Sequence, residues 1–491
     1  MIFDVIIVGA GPAGSSTATF LSRQGLKVLF LDKAIFPRDK VCGDCLAPQA
    51  LYWLDELGCV DEVLNHADTC ITSGDVLLKG KYLFTGDFPQ DTLYPGFCTL
   101  LERAKLDHIM VKNAVKNGAV FKPNCLVKSI LIKEDCVEVT AVSEGTVILF
   151  RGKLLVGADG ANSIVSRSLG NVLREGTTAI SVRAYYKNVK MESSKIQIHI
   201  NDRFFPGMGW VFTDSRRKAN IGIGYIFDKR FPGKDSLKKV FDDFIRHDLK
   251  KCLKGAKQVS PVAGWWASFF KPSTLVSDRV MLIGDAANLA DPMNGAGIHK
   301  AMESAYVASQ VIAHCIAIDD YSSASLNRYE LLWNKIGGLD WQIRQLFLSI
   351  AKNPNIREIY MLLIKYIARL AKNNPKFKDF CGGIFSGTIT VKGLVLVEAL
   401  LSAFPADLSA WITLSGNSTS RSIPFDDALL AGISILKTIS RFTSNPMGNF
   451  NWGVEVLNNA IGTASNIMLP SLFSAGVDKV ILLNSTTIKH G

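Results

Sequence analysis

Phe3 to Val8 is an apolar run rich in branched side chains, the pattern of a short strand covered on both faces. It leads into Gly9-Ala10-Gly11-Pro12-Ala13-Gly14. A helical pattern over Ser15 to Gln24 follows, stopped by Gly25, and a second apolar run, Lys27 to Leu31, ends in Asp32. Two further buried-strand runs also end in acids: Leu154 to Ala158 runs into Asp159-Gly160, and Val280 to Ile283 into Gly284-Asp285. Between them Ala179 to Tyr185, Lys195 to Ile200, Gly209 to Thr213 and Ala219 to Phe227 alternate or run apolar as strands, with Trp265-Trp266 near the end of the series. Ile298 to Ile316 has the spacing of a long helix. Beyond Glu330 the pattern predicts helix: Ile359, Leu362, Leu363, Tyr366, Ile367 and Leu370 share one face of a basic amphipathic helix over Arg344 to Lys378. The tail beyond Gly382 is apolar and rich in Ser and Asn, and its role is open.

The opening strand, turn, helix, strand and acid form one chemical unit. Gly9 allows the tight turn, Gly11 lets a pyrophosphate approach the backbone, and Gly14 lets helix and strand pack closely. Free amides at the helix start and its dipole hold phosphate. Asp32, 18 positions beyond Gly14, is in range of a ribose hydroxyl. The unit reads as a dinucleotide site, without choosing between nicotinamide and flavin. Asp285 ends a strand, where it can take hydrogen bonds from a ligand's hydroxyls or cap the following helix. Pro292 to Gly297 is a glycine-rich entry to the long helix, whose first amides stabilise negative charge. His299 and Glu303 follow within two turns, and packing or solvation is the expected role of both. Arg167 is expected to be a structural ion-pair partner.

Composition narrows the partners. The 491 residues are 48% hydrophobic and 20% charged, so the chain is globular and large enough for two or three units. Lys and Arg exceed Asp and Glu by 55 to 44, a net charge of +11, which suits an anionic cofactor or a negative membrane surface. No finger spacing or RNA-binding pattern supports nucleic acid. The ten cysteines are scattered in apolar surroundings, as reduced thiols are, and no metal-ligand spacing occurs. No signal peptide is read at the start, where Asp4 interrupts and the apolar run ends in a glycine loop. The longest apolar stretch, Gly393 to Leu414, is broken by Glu398, Pro405 and Asp407. A cytoplasmic location is expected. The basic helix packs on the dinucleotide-binding domain with a solvated face, or docks at an anionic membrane surface.

Phe36-Pro37-Arg38-Asp39-Lys40-Val41-Cys42-Gly43-Asp44 resembles the second-strand exit of the geranylgeranyl reductase family, within the para-hydroxybenzoate hydroxylase-like group of FAD enzymes. Four more stretches agree in order. Arg103 to Asp107 resembles the group's R-x-x-x-D pattern, whose arginine meets the flavin side of FAD. Gly157 to Ser163 resembles the DG motif. Gly207-Met208-Gly209-Trp210-Val211-Phe212 with Asn220 to Gly224 resembles the reductases' substrate-sheet segment. Gly284-Asp285 through Ile298 resembles the GD motif and the flavin-ring loop. The match spans roughly residues 1 to 335. It implies an α/β fold: a discontinuous Rossmann-type FAD-binding domain (1–72, 100–175 and 274–330), an inserted, mostly antiparallel β-sheet substrate domain (73–99 and 176–273), and a mostly helical C-terminal region (331–491).

The resemblance implies FAD held by Gly9, Gly11, Pro12, Ala13, Gly14, Asp32, Lys33, Arg38, Cys42, Gly43, Arg103, Asp159, Gly284, Asp285, Gly295, Ala296, Gly297 and Ile298. Cys42, Trp210 and Phe212 are the candidate catalytic residues. The implied reaction reduces carbon–carbon double bonds of an isoprenoid or similarly apolar substrate by hydride transfer from reduced FAD. NADPH, bound transiently, or ferredoxin or a flavin reductase supplies electrons, because no second glycine fingerprint is present. The same fold also serves aromatic hydroxylation or halogenation through a flavin hydroperoxide. The halogenases' G-W-x-W-x-I-P segment is incomplete here at Gly209 to Asp214. Lys79 and Lys81, the lysines available for halogen relay, read as a hairpin tip. Two positions depart from the reductase pattern at the expected substrate face, Met208 for Tyr and Thr213 for Pro. Cys42 lines the flavin pocket, forms a redox pair with Cys45, or is an inert buried thiol.

Overall fold

The computed structural model describes residues 2–67, 69–172, 178–227, 236–269, 272, 274–389, 437–438 and 440–468. The stretch 393–414 and most of the tail lie outside them.

Ile2–Val8 (β1) pairs in parallel with Val28–Leu31 (β2) on one side and Thr146–Gly157 (β3) on the other. Val28–Leu31 pairs with Val120–Lys122, and Thr146–Gly157 with Val280–Leu282. Ile6, Ile7, Leu29, Phe30 and Leu31 are wholly buried. Helices and the strands Leu126–Ile132 and Val137–Ser143, which contribute Val127, Val137, Val139 and Ala141, enclose this sheet in one core, so an unbroken apolar run, and not an alternating one, is what its central strands require. Each such side chain contributes about 1.5–3 kcal/mol of burial.

Register is what builds the site. Val8 lies opposite both Leu31 and Gly157, and Gly157 lies opposite Leu282. The strands therefore stop level, and the turns after them, carrying Gly9, Asp32, Asp159 and Asp285, emerge along one carboxyl edge, where open α/β sheets bind ligands. The helices Pro12–Arg23 (α1) and Arg103–Lys116 (α2) flank this sheet with Ile298–Ala317 (α3).

The second sheet runs in the order Lys257–Gln258, Thr178–Lys187 (β4), Ala219–Phe227 (β5), Met208–Thr213, Lys195–Ile200, Ser73–Leu78 and Lys81–Asp87, with Ala263–Ser268 also on Thr178–Lys187. All pairings are antiparallel except that of Lys195–Ile200 with Ser73–Leu78. In Met208–Thr213 the pleat sends Gly209, Val211 and Thr213 to the buried face and Met208, Trp210 and Phe212 to the other.

The expected single basic helix is three. Leu339–Ala351 (α4), Arg357–Asn373 (α5) and Pro375–Ser386 (α6) are separated at Pro354 and Pro375. Proline cannot donate the ladder hydrogen bond, and the residue before it avoids the helical region. Asn353 and Asn374, in extended backbone, accept from the amides of Asn355 and Phe377 and start the next segments. Two of the expected solvated cations are buried instead: Arg344 pairs with Asp291 and Asp340, and Lys352 with Glu455. The helix Pro446–Met468 (α7) packs on α4. Among the described residues no helix is long and apolar enough to cross a membrane.

Candidate active site

A cavity of about 1270 Å³ runs between the carboxyl edge of the first sheet and the open face of the second. Pockets for single drug-sized ligands measure about 300–1,000 Å³, so the space accommodates a dinucleotide and a second molecule beside it.

At the dinucleotide end, α1 begins at Gly11 with no side-chain cap and with Pro12 in its first turn, so the first amides are available to an anion. A β-carbon on Gly14 would stand 1.8 Å from the Gly9 carbonyl oxygen, whereas one on Gly11 would meet only the Arg38 guanidinium, at 3.7 Å. Gly14 thus serves packing, and Gly11 leaves bare backbone open at the cavity. Asp32 accepts from the amides of Ala10 at 2.9 Å and Ala34 at 2.8 Å, which fixes its carboxylate at the cavity wall. Lys33 lies exposed at the rim. Arg38 donates to Asp107 at 2.8 Å, and the buried Arg103 makes a bidentate pair with the same carboxylate. The R-x-x-x-D pattern is thus an ion pair one helical turn apart, and it holds Arg103 against Cys42. Burial is the largest influence on Cys42 and pushes its thiol up.

Asp159 accepts from Ser163 Oγ at 2.5 Å and the Ile164 amide at 2.6 Å, bracing its loop at the start of the helix Ile164–Ser168. Arg167 stands exposed at the cavity edge. Asp285 does not cap a helix. Its side chain reaches Lys40 Nζ at 3.2 Å and faces the backbone of Gly297. Asp285→Ala is expected to lose most bound flavin, read as the ratio of flavin to protein absorbance after gel filtration. In the glycine-rich loop, the Gly295 amide donates to Asp291 O and the Ala296 amide to Asn294 Oδ1. Those two expected donors serve the loop itself. α3 begins at Gly297 without a side-chain cap, so Gly297, Ile298 and His299 present its first amides at the cavity. His299 is buried, and burial holds its imidazole well below the usual range. Its Nε2 has no partner among the described residues. Glu303 pairs with Lys300.

Trp210 and Phe212 stack with centroids 6.3 Å apart. A β-carbon on Gly222 would meet the Trp210 ring at 2.2 Å, so the bare backbone of β5 is the bed on which the indole lies. Trp210 Nε1 donates to Asn220 Oδ1 at 3.0 Å. Gly222→Val is expected to expel the ring and lower substrate affinity with FAD retained, measured by tryptophan fluorescence and flavin titration. Of the two departures from the reductase pattern, Met208 faces the cavity. Thr213 does not: it is fully buried on the opposite face against Met191, because the pleat places positions 211 and 213 together. Cys45 Sγ lies 3.6 Å from Cys98 Sγ, where the short ladder Cys45–Leu46 with Thr99–Leu100 places it. Lys79, in the left-handed region at the turn before Lys81, pairs with Asp202, and neither lysine lines the cavity.

Sequence reasoning missed four residues. Asp44, Tyr185 and Asn220 form one buried hydrogen-bonded group beside Cys42. Arg344 clamps the loop that begins at Asp291. Asp44 stands inside the motif that carried the resemblance, so its acid was visible. Its partners come from distant strands, and their meeting was not.

FAD fits these residues. An uncapped helix start opens beside a bare Gly11, an acid stands at the second strand, and the cavity-lining His299 carries a buried imidazole nitrogen with no partner among the described residues. A family model described as an FAD binding domain matches residues 3–330. The chain is 31% identical over 327 residues to menaquinone reductase of Mycobacterium tuberculosis, covering 63% of this chain and 76% of that protein. It is 28% identical over 395 residues to digeranylgeranylglycerophospholipid reductase 1 of Methanococcoides burtonii, covering 76% and 93%. A geranylgeranyl bacteriochlorophyll reductase-like structure from Thermoplasma acidophilum superposes with a TM-score of 0.65 at 22% identity, covering 84% of this chain and 99% of that one, which bears on the fold. From the matched motifs, the cradle at Gly11 and these likenesses, the chain belongs to the FAD-binding domain family and is an FAD-dependent oxidoreductase, in keeping with its resemblance to the geranylgeranyl reductases.

Proposed function

We propose that the protein reduces carbon–carbon double bonds of an isoprenoid or comparably apolar chain. One observation carries this reading. The cavity continues from the glycine turn, past Trp210 and Phe212, to Phe347, Leu348, Ile350, Tyr360 and Leu363 of α4 and α5. An apolar passage of that kind suits a long hydrocarbon better than a compact aromatic ring. Reduced FAD supplies hydride. Gly9, Gly11 and the α1 amides would hold its phosphates, Asp32 its ribose, Asp285 its ribitol, and the start of α3 the pyrimidine edge of its ring. Trp210 and Phe212 hold the alkene against the ring face and exclude water, which supplies orientation. Cys42 and Gly43 close the same wall, Phe212 lying against Gly43. The electron donor, NADPH or a reduced protein partner, binds transiently. Ile350, Ile359 and Leu363, exposed as Lys365 is, provide the contact with an anionic membrane from which an isoprenoid enters.

The purified protein is expected to be yellow, or to become so on incubation with FAD. Anaerobic reduction followed by a polyprenyl substrate is expected to reoxidise the flavin without oxygen. Reoxidation only on admitting oxygen, through a transient hydroperoxide spectrum, would overturn the reading in favour of hydroxylation or, with halide dependence, halogenation.

A further inference from the structure

We propose that Asp44 is the acid that protonates the alkene, positioned by Tyr185 and Asn220 and reloaded from solvent through a notch on its far side. The proposal rests on the alkene-reductase reading and adds the proton that hydride transfer alone leaves unaccounted for.

The geometry is a built site. Asp44 follows Cys42-Gly43 with φ of 63°, a left-handed conformation that Asp tolerates better than most residues, and it is 4% exposed. Its Oδ2 accepts from the Tyr185 hydroxyl and from Asn220 Nδ2 at 2.8 Å. Its Oδ1 is buried with no hydrogen-bond partner among the described residues. A buried carboxylate oxygen left bare is costly. The same oxygen carrying a proton is a donor in need of an acceptor. Asp44 lines the main cavity together with Cys42, Gly43, Trp210 and Phe212. Asn220 also donates to the Cys42 carbonyl at 2.7 Å and receives the Trp210 indole, so one amide ties the acid to the aromatic wall.

Asp44 also lines a second hollow of about 40 Å³, bordered by His66, Glu102, Lys105, Tyr185, Arg216 and Lys218. It has room for a water. Lys218 lies over the Tyr185 ring at 4.5 Å and pairs with Glu102, so the hollow is polar and opens toward solvent. The charged and titratable groups around Asp44 and its hollow are Arg183 and Tyr185 on β4, Lys218 just before β5 with Asp214 and Arg216 in the preceding turn, His66, Glu102 and Lys105 at the ends of neighbouring helices, and Cys42 on its own loop, itself beside Arg103 and Lys40. Burial outweighs the hydrogen bonds of Tyr185 and Asn220 and the charge of Arg183, and Glu102 adds to burial, raising the acid to about 6. In the reaction the π pair of the alkene is consumed. One carbon receives hydride, the other takes the carboxyl proton of Asp44, and the carboxylate left behind keeps its two hydrogen bonds until water in the hollow returns a proton. The alkene gains two electrons and the cofactor loses two.

Infrared titration of the oxidised, FAD-loaded protein tests the resting proton without turnover. A protonated-carboxyl band should titrate near pH 6 and be missing in Asp44→Asn. In Tyr185→Phe its midpoint should move up, because the lost hydrogen bond favoured the carboxylate. In anaerobic single turnover with a polyprenyl alcohol in detergent, the wild-type rate should fall above that midpoint. Asp44→Asn should lose about 10²-fold or more with its FAD dissociation constant unchanged, and the falling limb of Tyr185→Phe should shift up with the band. A wild-type protein that reduces the alkene while Asp44→Asn matches it, or a missing band, overturns the proposal. A wild-type protein that leaves the alkene untouched sinks the reductase reading instead, and the infrared arm still decides whether Asp44 holds a proton. Should Asp44→Asn fail to fold, the paired shifts in Tyr185→Phe decide alone.

Discussion

Arg344→Met is expected to lower stability by about 3–5 kcal/mol, the range for removing one partner of a buried ion pair, and to weaken FAD binding at the same time. Arg344 is 1% exposed and lies between two carboxylates, Asp340 at 2.8 Å and Asp291 at 3.1 Å. Asp291 in turn organises the loop before α3: its carboxylate accepts from the Met293 amide at 2.8 Å and its carbonyl from the Gly295 amide at 2.9 Å. Trp341, one turn before Arg344, fixes the same loop by donating to Ala290 O at 3.0 Å. Methionine fills the space but removes the guanidinium that both buried carboxylates share. Urea unfolding at constant slope measures the first effect and flavin release on dilution the second. Adding Asp291→Asn and Asp340→Asn to Arg344→Met should restore much of the stability, since neutral amides avoid the buried charge. If Arg344→Met binds FAD normally, α4 does not hold the flavin loop.

Gly14→Ala is expected to destabilise the protein by about 1–3 kcal/mol, the range for an overpacked interior, and to abolish FAD retention. The added methyl would stand 1.8 Å from the Gly9 oxygen and 3.3 Å from Ile7 Cγ2, and the first of these neighbours is backbone. Relief requires α1 to move off β1, which carries the phosphate-binding amides away from the turn. Gly11→Ala separates the two roles. Its φ of −73° suits alanine, and its added methyl meets only the end of a flexible arginine. That variant should fold with wild-type stability and bind FAD more weakly, because the methyl stands where the pyrophosphate approaches. Thermal unfolding of the apo proteins and flavin titration separate the two outcomes. Equal stability of Gly14→Ala and Gly11→Ala would refute the assignment.

The cofactor half of the site was legible because its parts are local. A turn, a helix start and an acid within the first 32 residues each do their work through backbone conformation that the residue types themselves dictate. The second sheet was legible for a similar reason: period-two alternation assigns Trp210 and Phe212 to one face before any partner strand is known. The same rule, applied to Thr213, places it on the buried face, away from the cavity.

What escaped the sequence depends on charge pairing across distance. Arg344 in a run of eight cations and one acid over positions 344 to 378 reads as a solvated face. Only the packing of α4 on the flavin loop brings Asp291 to it, and a buried pair leaves no periodic trace. Asp44, Tyr185 and Asn220 are far apart in the chain and meet because β4 and β5 are neighbours facing the loop after β2. The sequence by itself determined that the chain makes a Rossmann-type cofactor cradle and an aromatic sheet, because those follow from local sterics and periodicity. The tertiary structure alone decided which ionisable groups are buried together, because desolvation and pairing are set by neighbours that no spacing along the chain encodes.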